Sequence, residues 1–121
     1  MSDIDELNEL LWDAEEIGAC VNSSYKELSG MLVATNRRVF FAYKGDISMK
    51  ITNNIFINKI KSIDCGKGPF SGWIDICIKR TKRHLRFDNI DNNSVDAISE
   101  QIKNRIAQKI GPITIRRQLN E

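Results

Sequence analysis

The side chains best equipped for chemistry are few and scattered in this chain. One histidine, His84, stands beside Arg83 and two residues before Arg86. Neighbouring cations disfavour its protonation, and no Ser or Cys nucleophile is tied to it by a recognisable motif. Three cysteines, Cys20, Cys65 and Cys77, are odd in number and far apart. With one His they do not supply the four spaced ligands of a zinc site. They read as ordinary thiols in a reducing cytoplasm rather than as a disulfide framework. The segment Gly66-Lys67-Gly68-Pro69-Phe70-Ser71-Gly72 is glycine-rich like a phosphate loop. Its spacing is not that of a Walker loop, however, and Trp73-Ile74-Asp75-Ile76 continues it as a strand, leaving no helix N-terminus for a phosphate. No catalytic residue, metal site, cofactor or small-molecule substrate is expected, and the chain reads as a non-enzyme.

Charge carries the stronger signal. Lys79, Arg80, Lys82, Arg83 and Arg86 place five cations within eight residues at an expected hairpin. Such a cluster can hold lipid phosphates, RNA or an acidic protein surface, and the plain alternative is a solvated turn. Aromatic residues do not interleave with these cations, and Phe87 faces the expected core, so nucleic acid is set behind a lipid or protein anion. At the other end, Asp3, Asp5, Glu6, Glu9, Asp13, Glu15 and Glu16 crowd the first 16 residues, and all 18 Lys+Arg lie beyond them. The whole is nearly balanced, at a formal +2. An acidic segment of this kind is a solvated helix face, a partner-binding arm, or a helix docked on its own basic domain.

The elements that must carry these groups follow from periodicity. Ile4, Leu7, Leu11 and Ala14 recur at helical spacing, which predicts an amphipathic helix over 3–16 with Leu10 and Trp12 widening its apolar surface. From there to about residue 88 the period is two. Ile47, Met49 and Ile51, then Ile74, Ile76 and Ile78, then Leu85 and Phe87 alternate with polar residues, as antiparallel strands with one wet face do. Asn36-Arg37, Lys44-Gly45-Asp46, the Gly66–Gly72 segment and Thr81-Lys82 supply turns, giving seven short strands. Val95, Ile98, Ile102, Ile106 and Ile110 form the apolar stripe of a closing helix, capped by Asn93 or Ser94 and stopped at Gly111-Pro112. At 121 residues and 41% hydrophobic the chain suits one packed domain. No apolar run approaches the roughly 20 residues of a membrane span, and the acidic start is unlike a secretory signal.

The run Gly30-Met31-Leu32-Val33-Ala34-Thr35-Asn36-Arg37-Arg38-Val39-Phe40-Phe41 resembles the signature of bacterial pleckstrin-homology-like (PH-like) domains, in particular their YokE-like branch. Ile60-Lys61-Ser62-Ile63, Lys67 to Trp73, and residues 91–109 are similar to that family's next strand, hairpin and closing helix, so the resemblance spans about residues 16–110. It implies an α+β, mainly β architecture: two roughly orthogonal antiparallel sheets of seven strands, capped by a C-terminal helix. The chain then divides into an acidic helix at 1–16, the PH-like domain at 17–110 and a tail at 111–121. The resemblance implies turn geometry and packing for Thr35 and Arg38, and neither catalysis nor cofactor. By analogy with eukaryotic relatives, Lys26, Lys44 and Lys79 to Arg83 would gather at one mouth of the barrel. The relatives' phosphoinositide signature spaces several basic residues along the first hairpin, where Asn22-Ser23-Ser24-Tyr25-Lys26-Glu27 has only Lys26.

The function expected is therefore that of a cytoplasmic interaction module working through protein contacts or self-assembly. Leu7, Leu10, Leu11 and Trp12 of the first helix, with Ile113 and Ile115 of the tail, are the candidates for homo-oligomeric contacts, by helix docking or strand addition. The alternative is peripheral binding of anionic membrane through Lys79, Arg80, Lys82, Arg83 and Arg86, with Lys26 and Lys44 in support.

Overall fold

A computed structural model describes the backbone of residues 3–120 and the side chains of residues 5–108. A short helix, α1 (Asp3–Glu9), leads into β1 (Ile17–Tyr25), β2 (Leu28–Thr35), β3 (Arg38–Lys44) and β4 (Met49–Phe56). A single 3-10 turn, Ile57–Lys59, passes to β5 (Ile60–Lys67), β6 (Gly72–Ile78) and β7 (His84–Ile90), and α2 (Asn92–Asn120) closes the chain. The seven strands pair antiparallel in the order β4-β3-β2-β1-β7-β6-β5. Two meanders, β1–β4 and β5–β7, meet where Ser24 of β1 registers with Asp88 of β7. The expected mainly β fold with a capping helix is the one observed.

Period two explains most of the packing. Leu32, Ala34, Val39 and Phe41 turn inward to meet Ile74, Ile76, Leu85, Phe87 and the Val95, Ile98 and Ile102 stripe of α2. Their neighbours Val33, Phe40 and Ala42 turn the other way and are equally buried, beneath Leu7 of α1 and beside Met49. The β2–β3 pair is thus covered on both faces, which is why its sequence is a near-continuous apolar run rather than an alternation. Gly30 permits the close approach of these strands, since a Cβ there would collide with the Ala42 carbonyl oxygen.

Four expectations are corrected. The first helix ends at Glu9 rather than 16, because the chain beyond it is gathered into turns by the β2–β3 corner described below. Ile47 is not a strand residue but sits in the turn before β4, 95% exposed. Helix α2 begins at Asn92, with the Asp91 carbonyl accepting from the Ser94 and Val95 amides, ahead of the expected Asn93 or Ser94 cap. It also continues past Gly111-Pro112 to Asn120. A proline within a helix forfeits its own N–H bond and bends the axis, which interrupts the ladder without ending the helical backbone. The side chains of Ile110, Ile113 and Ile115 lie outside the described residues.

Candidate interaction surface

Two arginine-bearing turns dominate the geometry, and they are put to opposite uses. At the β2–β3 corner Arg38 is 2% exposed. Its Nε donates to Glu15 Oε2 at 2.8 Å, and its Nη2 donates to Glu15 Oε1 at 3.0 Å and to the Leu10 carbonyl at 3.0 Å. Thr35 Oγ1 donates to the same carboxylate at 2.7 Å, and the Trp12 amide donates to it at 2.9 Å. The guanidinium carbon lies 3.9 Å from the Trp12 ring centre and 4.7 Å from that of Phe40. Asn36 completes the clasp by accepting from the Glu16 amide and donating to the Ala14 carbonyl. Burial alone would raise the Glu15 pKa, but the hydrogen bonds from Arg38, Thr35 and the Trp12 amide prevail and hold it below the ordinary carboxylate value. Thr35 and Arg38 therefore fix the turn and anchor residues 10–16.

The β6–β7 hairpin is the reverse case. Arg80 takes the left-handed conformation at φ 61°, Thr81 Oγ1 donates to the Ile78 carbonyl, and the Arg83 amide donates back to Thr81 Oγ1. The turn is well formed, yet Lys79, Arg80, Lys82 and Arg83 all reach solvent. Among the described residues none of the four has a carboxylate within ion-pair distance. The β5–β6 register, with Ile60 opposite Ile78, brings the start of β5 to this turn, and the Lys79 amide donates to the Lys59 carbonyl at 2.8 Å. Lys59, exposed and likewise without an ion-pair partner among the described residues, thereby joins the cluster. A cleft of about 250 Å³ is lined by Asn58, Lys59, Lys79 and Arg80. A neighbouring one of about 280 Å³ is lined by Asn53, Asn54, Ile55, Phe56, Lys59, Ile78, Arg83 and Leu85.

The other candidate cations are differently placed. Arg86 leaves the cluster, lying over the Trp73 ring at 4.5 Å and donating to Asp88 Oδ1 at 3.0 Å. Lys44 pairs with Glu6 at 3.3 Å, and Lys26 stands over the Tyr25 ring at 5.4 Å. Neither Lys26 nor Lys44 lines the two hairpin clefts. His84 lies 3.0 Å from Asp75 Oδ1, a partner that only the β6–β7 register reveals. Sequence reasoning misses Lys59 because it lies 20 residues before Lys79, and only strand pairing joins them. Of the residues expected to self-associate, Leu7 is fully buried on the outer face of its own sheet, with Leu10 and Leu11 packed beside it. Trp12 stays 43% exposed, stacked at 5.6 Å on Phe56, itself 44% exposed.

Among the described residues no three His, Cys, Asp or Glu side chains cluster in a way that could hold a metal ion. No helix among them is long and apolar enough to cross a membrane.

Similar architecture occurs in solved structures. A protein with a pleckstrin-homology domain from Shewanella loihica aligns with a TM-score of 0.60 at 17% identity, covering 84% of this chain and 88% of that one. The pleckstrin homology domain from Shewanella amazonensis gives 0.52 at 20% identity, covering 86% and 91%. The hSac2 domain of the human phosphoinositide phosphatase Sac2 gives 0.59 at 12% identity, covering 91% and 85%. At these identities the likeness is one of fold. No curated protein matches the sequence. The family model described as Bacterial PH domain matches residues 11–104, a span that takes in both the Glu15–Arg38 clasp and the basic hairpin. That match covers most of the chain, which belongs to the bacterial PH domain family.

Proposed function

We propose that this chain is a non-catalytic interaction module that contacts an anionic protein partner through the β6–β7 hairpin and Lys59. Within the family we assign it to the YokE-like branch, on the Gly30–Phe41 run. The observation that carries the functional reading is the set of unpaired cations. Among the described residues, Lys59, Lys79, Arg80, Lys82 and Arg83 face solvent without carboxylates, whereas Lys44, Lys67, His84 and Arg86 each have one. A surface that leaves one sign of charge unneutralised in one place favours partners of the opposite sign and speeds their encounter. A cytoplasmic setting accords with three free thiols.

A second reading, peripheral binding to anionic membrane, rests on the same cations, each of which would contribute about 1 kcal/mol near a charged bilayer. Self-association is a narrower option here, since α1 keeps Leu7 for its own sheet, while Trp12 and Phe56 stay partly exposed as one apolar patch. The test measures retention of the full chain on immobilised polyglutamate and on vesicles of phosphatidylglycerol and phosphatidylcholine, each over a salt series. The protein reading expects retention on polyglutamate that weakens steeply with salt and is lost in Arg80→Glu/Lys82→Glu. Retention that ignores both salt and charge reversal sinks both readings. Retention on vesicles alone favours the membrane.

A further inference from the structure

We infer that the cavity between the β4 edge and the β6–β7 hairpin receives the C-terminal residue of a partner polypeptide, an apolar side chain together with its free carboxylate. This rests on the hairpin being the working surface and adds what the partner presents to it.

The cavity is two-faced. Ile55 and Leu85, 5% and 6% exposed, and the half-buried Ile78 give it an apolar floor, with the exposed Phe56 at its side. Among the described residues, Lys59 and Arg83 stand over that floor with no ion-pair partner, and no acidic residue lines the cavity. An apolar floor beneath unneutralised cations suits a group with an apolar body and an anionic end. A guanidinium favours a carboxylate, whose two oxygens can accept its N–H donors in parallel. A ligand with an ammonium next to its carboxylate is disfavoured, since nothing acidic is there to meet it. That argues against a free amino acid and for a chain terminus, in which the α-nitrogen is an uncharged amide.

Size and the neighbouring strand point the same way. About 280 Å³ is room for one residue, below the usual range of roughly 300–1,000 Å³ for drug-sized sites. β4 is the last strand of its meander, so among the described residues its outer edge has no strand partner and can take an extended chain. That edge does not run on freely. Asn53 and Asn54 stand opposite the single residue Phe40 in a bulge, and Asn53 is left-handed at φ 54°. A bulge disrupts the ladder locally, so a polypeptide paired along Ile55 and Phe56 loses register at Asn53, although β4 itself resumes pairing with β3 at Thr52. A chain end placed there needs no pairing beyond the bulge, and its carboxylate meets the cations.

The experiment titrates the full chain with the acetylated tripeptide Gly-Glu-Leu as the free acid, as its C-terminal amide, and with 4-methylpentanoate. NMR follows the methyls of Ile55, Ile78 and Leu85 and the Nε–H of Arg83. The free acid should move these signals saturably, the amide should bind about tenfold more weakly, and Arg83→Gln and Lys59→Gln should each weaken the acid to a similar degree. Both positions are exposed, so the fold tolerates these changes, and unchanged shifts elsewhere check it. Equal binding of acid and amide, or no shift with the acid, overturns the inference. So does 4-methylpentanoate binding as tightly as the peptide, which would make the site one for small free acids. Polyglutamate retention measured on the same samples keeps the two ideas apart. Retention without peptide binding defeats the cavity inference alone, and loss of retention on both polyglutamate and vesicles defeats the hairpin as well.

Discussion

The β2–β3 corner and the β6–β7 hairpin look alike as sequence, short polar turns rich in arginine, and they differ in what lies within reach of the guanidinium. Arg38 finds a carboxylate, a carbonyl and two aromatic rings, and it holds residues 10–16 to the sheet through them. Arg80 and Arg83 have no carboxylate among the described residues and are left to solvent and to the clefts beside Lys59. A cation's role is thus set by its satisfaction. Substitutions at the first turn should be felt in stability and at the second in binding.

The largest expected effect tests the satisfied side. Arg38→Ala leaves the Glu15 carboxylate buried without its charge partner, and chemical denaturation should show a loss of about 3–5 kcal/mol. A loss below about 1 kcal/mol, the range of exposed pairs, would erase the contrast. Acid comes next. Because the folded pKa of Glu15 is lowered, its contribution is fully present above the unfolded value and disappears as pH falls through the folded one. Denaturation midpoints should therefore drop in that acidic window for the natural chain and vary less in Glu15→Gln. A third change, Trp12→Ala, removes the Phe56 stack and one lid of the guanidinium, for about 1–2 kcal/mol in thermal melts. The smallest stability effect belongs to the other turn. Arg80→Glu/Lys82→Glu should stay within about 0.5 kcal/mol of the natural chain while abolishing polyglutamate retention, which sharpens the contrast in a single variant.

The same contrast separates the features that are legible in the sequence from those that are not. Alternation at Ile74 and Ile76 and the break at Asn36-Arg37 are local signals that appear where expected, and the hairpin turn expected over Gly66–Gly72 falls inside that segment, at 68–71. The length of α1 is not legible, because the apolar spacing through Leu11 and Ala14 is overruled by Arg38, 23 residues beyond Glu15. For the same reason Glu15 reads in the sequence as part of a solvated acidic face. The hairpin cations are plain from the residues alone, yet Lys59 reaches them only through the β5–β6 register, and Arg86 is withdrawn by Trp73 and Asp88, contacts no spacing rule contains. Only the family resemblance groups Lys26 and Lys44 with the hairpin, and in the fold they lie against Tyr25 and Glu6.

The double coverage of the β2–β3 pair has a kinetic consequence. Amides from Leu32 to Ala34 and from Val39 to Ala42 lie between two apolar layers, one of them supplied by α1 and the other by the main core with α2. Local opening of this pair would have to expose both layers together, so these amides should exchange with deuterium only through global unfolding. The hairpin at 79–83, with no buried side chain, is free to open on its own and should exchange orders of magnitude sooner. The molecule is built as a slow centre carrying a fast rim, and the rim holds the proposed contact.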